Sequence, residues 1–439
     1  MENTTAIQTT PKPTTKPITV ALDIGTTKIC AIAGRLDEFG KLEVLGIGKV
    51  VSTGVNRGVI SNIDKTVRAI REAVDTAEKA AGVKFRNVHV GIAGQHIKSR
   101  QHRGILTRDN NQDEISQKDI DKLIADMHLL VLPPGDKILH VIPQEYTVDY
   151  EQGITDPIGM SGVRLEANFH IITGQASASA NIVRCVERAG LKVLDLTLEP
   201  IASAHAVLSD EEKEAGVALV DIGGGTTDLS IFKDGIIRHT AVIPFGGNVI
   251  TSDIAEGCHV TKKNAEKLKV KFGSALAAEI HENRIISING INDRGHKEIS
   301  ERNLALIIQA RVEEIFDYVL WEIKKSNFAD KLIAGIVVTG GGALLRDIDK
   351  LIEYHLHYPC RVGLPRERFA HGYSESLANP IFSTAVGLLL HGIQQADKHV
   401  PAEEETVQAH TETSKKANLL EKLFQGAKRF FEIEDDLNV

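Results

Sequence analysis

Two short stretches of this 439-residue chain place an aspartate, glycines and threonines in the same order. The first, LDIGTTK, covers residues 22–28, and the second, VDIGGGTTD, covers residues 220–228. Each lies between two apolar runs, which predicts a β-hairpin whose tip is almost all backbone. Glycine lets backbone amides approach a phosphate without an intervening Cβ, and the threonine hydroxyls add donors. The pair predicts two phosphate-binding loops, the second with two extra glycines.

The aspartate that opens each loop, Asp23 or Asp221, indicates a metal site. If the two hairpins face each other across a cleft, both carboxylates lie beside one polyphosphate. Mg²⁺ keeps several waters and takes few protein ligands, so two carboxylates acting through water suit it. One loop alone is also consistent with an ordinary tight hairpin, and the repetition favours the phosphate interpretation.

A third glycine turn lies in GIVVTGGGALL, residues 335–345. A buried strand delivers Gly340, Gly341 and Gly342 to the predicted start of a helix. Backbone at such a place can lie against a nucleoside, and a helix N-terminus favours a nearby phosphate. By itself this turn is also consistent with a generic α/β connection.

The elements that must position these loops divide the chain into segments of different pattern. Residues 18–96 predict three strands, a helix and a strand, which indicates a sheet of antiparallel hairpins joined to a parallel crossover. The sequence pattern predicts a disordered arm at 1–17, a flexible linker at 394–416 and an amphipathic helix at 417–439. Between them, the resemblance of the glycine motifs to a known two-lobe superfamily implies a first lobe at 18–96 and 177–208, an inserted subdomain at 97–176 and a second lobe at 209–393 with a subdomain at about 250–332.

Composition excludes several classes of function. The 51 basic and 59 acidic residues give a net charge of −8, without the basic excess typical of nucleic-acid binding. The cysteines, Cys30, Cys185, Cys258 and Cys360, form no CxxC pair, which argues against a zinc site or a disulfide framework. No apolar run reaches the roughly 18 residues of a membrane span, and the N-terminus does not resemble a secretory signal. We therefore expect a cytoplasmic protein.

Five motifs in a fixed order resemble the nucleotide site of the actin-like ATPases: ALDIGTTK, EPIASAHAVLS, LVDIGGGTTDLSIF, GIVVTGGGALL and NPIFSTAVGLLLHGI. The resemblance spans about residues 18–393. It implies an α/β, actin-like (ribonuclease H-like) duplicated two-lobe fold, with ATP and Mg²⁺ in the cleft and two connecting helices crossing at the hinge. Small residues in those helices permit a close crossing: Ala202, Ala204, Ala206, Ala385 and Gly387.

The resemblance also implies roles for single residues. Asp23 and Asp221 would order Mg²⁺ through water, and Glu199 would orient the attacking water, with at most weak ATPase activity. For Glu266 and Lys269 a solvated helix face is the alternative. The implied nucleotide-binding residues are Asp23, Gly25, Thr26, Thr27, Lys28, Asp221, Gly223, Gly224, Gly225, Thr226, Thr227, Glu266, Lys269, Gly340, Gly341 and Gly342.

Within that superfamily, three further stretches resemble FtsA, a bacterial cell division family: LHVIPQEYTVDYEQGITDPIGMSGVRLEANFHIIT, IRHTAVIPFGGNVITSDIA and NRGVISNID. This implies an FtsA-type inserted subdomain and a protein that polymerises at the inner membrane. It also implies binding to the C-terminal peptide of the tubulin-like FtsZ, and recruitment of later division proteins. A small-molecule kinase of the same superfamily is the alternative, but it should need neither a linker nor an amphipathic end. A heat-shock-type chaperone would carry a large β-rich domain after the ATPase.

The last residues, NLLEKLFQGAKRFFEIEDDLNV, predict an amphipathic helix. From Lys415 to Arg429 there are five basic residues and one acidic residue, which suits the surface of an anionic membrane. The acidic residues that follow leave the end of this helix open, and packing on a protein surface is the alternative. The predicted membrane contacts are Leu419, Leu420, Leu423, Phe424, Lys428, Arg429, Phe430 and Phe431.

Overall fold

The computed structural model describes residues 17–108, 114–289, 296–370 and 375–399. The predicted arm before residue 17, the linker from residue 400 and the C-terminal helix lie outside these residues. The last described helix, Ser383–His399, continues past residue 394, where the sequence predicts the linker to begin. Residues 395–399 contain neither glycine nor proline to end the helix there, and the first proline after it is Pro401. Within the described ranges, no helix is long and apolar enough to cross a membrane.

The first lobe is built on a five-stranded sheet. Its strands are β1 (Thr19–Ile24), β2 (Lys28–Leu36), β3 (Leu42–Val51), β6 (Asn87–Ile92) and β11 (Lys192–Leu198), and a short hairpin of β4 (Val55–Asn56) and β5 (Val59–Ile60) follows β3. Helices α1 (Ile63–Ala81) and α3 (Ala176–Arg188) pack against each other and against this sheet. Helix α1 begins after Asn62, whose side chain accepts the N–H of Lys65, and ends at Gly82 in the left-handed conformation.

The second lobe repeats the first. Its sheet contains β12 (Val217–Ile222), β13 (Thr227–Lys233), β14 (Ile236–Ile243), β17 (Ile336–Thr339) and β18 (Cys360–Val362). The strand orders are β3-β2-β1-β6-β11 and β14-β13-β12-β17-β18. In both sheets three antiparallel strands are followed by two parallel ones. This identity of order and direction confirms the duplicated α/β fold that the resemblance implies.

The remaining helices cover the second sheet or join the lobes. They are α4 (Glu199–Val207), α5 (Asp210–Ala215), α6 (Gly247–Gly257), α7 (Lys262–Phe272), α8 (Glu301–Lys325), α9 (Ile348–Leu356) and α10 (Ser383–His399), and a hairpin of β15 (Ile285–Asn289) and β16 (His296–Ser300) precedes α8. Helices α4 and α10 cross closely, because a Cβ on Gly387 would lie 1.7 Å from the carbonyl oxygen of Ala202. The small residues of the two connecting helices permit this approach, as predicted.

The inserted subdomain lies in the chain between β6 and α3. It consists of β7 (Lys98–Thr107), α2 (Gln117–His128), β8 (Asp136–Val148), β9 (Glu151–Ile154) and β10 (Arg164–Gln175). The strands form an antiparallel sheet in the order β7-β10-β8-β9. A separate apolar core, which includes Leu123, Leu165 and Phe169, lies between this sheet and α2.

Side chains of the inserted subdomain cap the edge strand of the second lobe. Ser99 donates to the carbonyl of Thr240 at 2.9 Å, and Gln101 donates to the carbonyl of Arg238 at 3.2 Å. The ring of His170 also lies within hydrogen-bond distance, 3.1 Å, of the Thr240 hydroxyl. Because β14 is the edge of its sheet, these bonds satisfy backbone groups that would otherwise remain open to pairing.

Acidification is expected to destabilise the folded chain through His170, which is 1% exposed. Burial, with a smaller effect of His239, lowers the pKa of His170 to about 4, whereas an unfolded histidine titrates near 6.5. Above pH 6.5 both states are neutral, and as the pH falls towards 4 only the unfolded state gains the proton. Between pH 7.5 and 5, the free energy of unfolding of His170→Gln should fall by about 2 kcal/mol less than that of the wild-type chain. Urea unfolding at the two pH values measures this difference.

The control for this prediction is His281→Gln, since His281 is exposed. This substitution should leave the pH dependence of the wild-type chain unchanged. If the two variants lost the same stability between pH 7.5 and 5, the assignment of His170 would be wrong.

Candidate functional site

The tips of the two glycine hairpins have the same length. Ile24 pairs with Ile29 and Ile222 pairs with Thr227, so residues 25–28 form one tip and residues 223–226 the other. In each tip the first N–H donates to the last carbonyl at 3.0 Å. The two extra glycines of the second loop therefore do not lengthen its tip. Gly224 and Gly225 occupy the positions of Thr26 and Thr27, so the two Thr-Thr pairs stand two positions apart in the structure.

The two tips contact each other at the bottom of one cleft. A Cβ on Gly224 would lie 2.2 Å from Cγ2 of Thr27, and a Cβ on Gly225 would lie 2.8 Å from the hydroxyl of Thr26. The Thr26 hydroxyl accepts the N–H of Gly58, in the turn between β4 and β5, at 3.1 Å. The second tip needs glycine because the lobes approach to backbone contact there.

The cleft has a volume of about 690 Å³, a size typical of small-ligand sites. Every predicted nucleotide-binding residue lines it except Thr227. Thr227 is fully buried, and its hydroxyl donates to the carbonyl of Phe245 at 2.8 Å. Since Thr227 pairs with Ile222, the residue after Asp221, its side chain lies on the other face of the sheet. The structure therefore does not bring the Thr227 side chain to the cleft with the other predicted residues.

Asp23 and Lys28 form an ion pair on the first-lobe side of the cleft. Asp23 is 2% exposed. Burial lowers the pKa of Lys28, but the charge of Asp23 and their hydrogen bond outweigh it and raise that pKa above its usual value. Lys28 therefore stays charged in the cleft, where a phosphate could share its ammonium with Asp23.

Asp221 occupies the corresponding position in the second lobe. Its Oδ2 accepts hydrogen bonds from the hydroxyls of Ser203 at 2.7 Å and Thr384 at 3.2 Å. Burial raises the pKa of this carboxyl, and the two hydroxyls oppose that rise. Ser203 and Thr384 belong to α4 and α10, so the two connecting helices both hold this carboxylate.

Glu199, the predicted water-orienting residue, is the first residue of α4 and lines the cleft. Burial raises its pKa well above the usual value, and the charges of Asp23, Asp228 and Asp221 add to the rise. This environment favours the protonated form of Glu199. A bound divalent cation would offset those charges and favour the ionised form, which a residue that orients water requires.

Asp228 lines the same cleft, and the sequence prediction does not include it. It pairs directly with Asp221 across β12 and β13, so both side chains lie on one face of the sheet. Burial and the charge of Asp221 raise the pKa of Asp228 to about 8. Its Oδ2 accepts from the Thr226 hydroxyl at 3.3 Å, and its buried Oδ1 has no partner among the described residues. The sequence signal that could have indicated Asp228 is an acidic residue directly after Thr-Thr. Aligning the two Thr-Thr pairs hides this signal, because it places Asp228 at the position of Lys28.

The third glycine turn reaches the cleft from the end of β17. A 3₁₀ turn, Gly341–Leu344, follows Gly340, and α9 begins only at Ile348. The three glycines therefore stand at the start of a short 3₁₀ turn and not at the start of the longer helix α9. The turn offers a ligand close backbone contact and not the end of a helix dipole.

Glu266 and Lys269 line the cleft from α7. The ammonium of Lys269 donates to the carbonyl of Gly247 at 2.9 Å and to the hydroxyl of Thr251 at 2.8 Å, and it pairs with Glu266 at 2.8 Å. A solvated helix face, the alternative interpretation, does not describe Lys269, whose side chain is only 13% exposed.

No group of three or more His, Cys, Asp or Glu side chains in the described ranges could hold a metal ion directly. This arrangement is compatible with a metal that the carboxylates contact through water. The eight predicted membrane contacts, Leu419 to Phe431, lie outside the described residues.

Comparisons with known proteins agree with this architecture. The family described as cell division protein FtsA matches residues 218–387, and the SHS2 domain inserted in FtsA matches residues 94–173. The chain is 42% identical over 377 residues to cell division protein FtsA of Pseudomonas aeruginosa, covering 86% of this chain and 89% of that protein. It is 34% identical over 388 residues to the Escherichia coli K12 protein of the same name, covering 87% and 91%.

Solved structures with little sequence identity share the fold. The PilM–PilN type IV pilus biogenesis complex matches with a TM-score of 0.61 and 16% identity, covering 85% of this chain and 98% of that one. MreB5 of Spiroplasma citri bound to ADP matches with a TM-score of 0.51 and 16% identity, covering 87% and 97%. At this identity the likeness shows the actin-like fold alone.

Proposed function

Since this chain belongs to the FtsA family of cell division proteins, we propose that it binds ATP with Mg²⁺ in the cleft between its two lobes. The observation that carries the proposal is the contact of the two glycine tips, Gly224 against Thr27, beneath a cleft lined by both aspartates. Backbone amides and hydroxyls on both tips could contact one polyphosphate from two sides.

The donor set fits a magnesium ion held through water. Asp23 and Asp221 enter the cleft from different lobes, and Oδ1 of the buried Asp228 lacks a partner among the described residues. Asp23 and Asp221 would hold Mg²⁺ through water, and its charge would offset those of the carboxylates. Lys28 would pair with a phosphate, and Glu199 would orient water once ionised. We expect at most weak ATP hydrolysis.

The C-terminal residues 417–439 are proposed to bind the cytoplasmic face of the inner membrane at the division site. The support is the sequence pattern, an apolar face flanked by Lys428 and Arg429. Interfacial burial of a few large side chains is partial, and ordering the helix opposes it, so a single tail binds reversibly. A filament presents many tails, and their combined affinity makes attachment firm after assembly.

Family membership supports the remaining parts of the proposal. We propose that the chain polymerises, binds the C-terminal peptide of FtsZ and thereby tethers FtsZ filaments to the membrane. The inserted subdomain would recruit later division proteins. The family assignment offers no support for the small-molecule kinase alternative.

Sedimentation with anionic vesicles tests the proposal. The full chain, with Mg²⁺ and ATP, is expected to pellet with vesicles that contain phosphatidylglycerol, and to pellet less without nucleotide. Deletion of residues 417–439 should abolish vesicle binding and leave ATP affinity, measured by fluorescence titration, unchanged. Equal pelleting of the truncated chain would contradict the membrane role, whereas absence of ATP binding in the full chain would contradict the assignment of the cleft.

A further inference from the structure

Two buried hydroxyls meet where α4 and α10 cross, that of Thr384 at the wall of the cleft and that of Ser203 behind it. The oxygens of Ser203 and Thr384 lie 3.1 Å apart, and both are within donor distance of Oδ2 of Asp221. Ser203 is fully buried, and Thr384 is 9% exposed. Each hydroxyl has one proton, and a bond to a carboxylate is stronger than a bond between neutral hydroxyls, so we assign both protons to Asp221.

The other oxygen of Asp221 is confined as well. A Cβ on Gly340 would lie 2.2 Å from Oδ1 of Asp221, which places the backbone of the third glycine turn directly against it. Asp221 itself stands on β12, next to the second glycine tip. One carboxylate is thus held by hydroxyls from two helices and by a turn from a neighbouring strand.

We propose that Ser203 and Thr384 are positioning residues that fix the carboxylate of Asp221 for a hydrated divalent cation and couple that cation to the crossing angle of α4 and α10. This inference rests on the proposed function, since it assigns how the cleft holds its metal. The hydroxyls donate to the ionised carboxylate, so they favour the charged form that a cation needs.

The coupling to the hinge follows from the origin of the two donors. Ser203 belongs to α4 and Thr384 to α10, the helices that connect the lobes. A change in their crossing angle lengthens at least one of the two bonds to Asp221. A cation that requires the fixed carboxylate therefore favours the crossing angle at which both bonds form.

A second hydroxyl pair supplies a matched control. Ser383, the residue before Thr384, lies 2.7 Å from the Thr339 hydroxyl, and both side chains are fully buried. This pair links the end of β17 to α10 and has no contact with Asp221 among its hydrogen bonds. Removing it costs a buried hydroxyl contact in the same region and leaves the donors of Asp221 in place.

The test compares ATP affinity with excess Mg²⁺ and with EDTA, in full-length variants whose thermal unfolding is cooperative. The ratio of the two dissociation constants measures the cation's contribution. The double variant Ser203→Ala, Thr384→Val is expected to lower this ratio about tenfold or more, because each hydroxyl bonds a charged group. Thr384→Ser keeps the hydroxyl, so its ratio should stay near that of the wild-type chain. The control Ser383→Ala should also keep the wild-type ratio.

The outcomes separate this inference from the proposed function. A wild-type chain that binds no ATP would overturn the assignment of the cleft and the inference with it. A wild-type chain whose affinity rises with Mg²⁺, together with a double variant that keeps the full rise, would overturn the positioning role alone. An equal fall in Ser383→Ala would show a general loss of packing and would also overturn it.

Discussion

Replacement of Gly340 by alanine is expected to abolish nucleotide binding and to destabilise the second lobe by about 3 kcal/mol or more. Gly340 has φ 82° and ψ −178°, a backbone conformation open essentially to glycine alone. A Cβ there would lie 2.2 Å from Oδ1 of Asp221 and 2.7 Å from the carbonyl oxygen of Ile222. The carbonyl belongs to the sheet, and Asp221 is held by two helices, so neither neighbour can move without breaking other bonds.

The adjacent glycine is the control. A Cβ on Gly341 would have its nearest atom, Cγ2 of Ile381, 4.0 Å away, so Gly341→Ala should keep the stability of the wild-type chain. Urea unfolding measures the free energy for both variants, and titration with a fluorescent ATP analogue measures binding. Equal stabilities for Gly340→Ala and Gly341→Ala would contradict the strain and contact that we assign to residue 340.

The sequence predicts the duplicated sheet because hydrophobic pattern and glycine placement both act over short distances. The apolar runs on either side of Asp23 and Asp221 can only be strands joined by a tight turn, and each hairpin starts its lobe. The third glycine turn, after β17, follows by the same reasoning. The full set of nucleotide-binding residues came from the family resemblance of these motifs, and all of them except Thr227 line one cleft.

Register is where sequence reasoning failed. Aligning the two Thr-Thr pairs equates Lys28 with Asp228, whereas strand pairing equates Lys28 with Thr226 and Cys30 with Asp228. Because side chains alternate between the faces of a sheet, the true pairing decides which residues enter the cleft. The true pairing places the Asp228 side chain in the cleft and the Thr227 side chain on the other face of the sheet.

Contacts between distant segments could not be read from the sequence either. The bonds from Ser99 and Gln101 to β14 join residues more than a hundred positions apart and depend on side chains that many surface strands carry. The hydroxyls on Asp221 come from helices whose small residues indicate close packing, but small residues do not reveal which atoms meet. Only the relative placement of the lobes makes Ser203 and Thr384 neighbours.

Gly387→Ala is expected to destabilise the chain by several kcal/mol. The same substitution would stabilise an isolated helix. In a helix interior, alanine is about 1 kcal/mol more favourable than glycine. At residue 387, however, a Cβ would lie 1.7 Å from the carbonyl oxygen of Ala202, so α4 and α10 would have to separate by more than 1 Å. Such overpacking typically costs 1–3 kcal/mol or more, and the separation also removes apolar contacts of the surrounding core.

The same separation reaches the cleft, because α4 and α10 carry the hydroxyls that hold Asp221. Gly387→Ala should therefore lose stability and Mg²⁺-dependent ATP affinity together, measured by urea unfolding and by nucleotide titration. Gly257→Ala is the control, since its close contact, 2.8 Å, is the tip of the flexible Ile307 side chain. A Gly387→Ala chain as stable as this control would mean that the two helices can slide apart freely, and the lobes would then not be held at a fixed crossing.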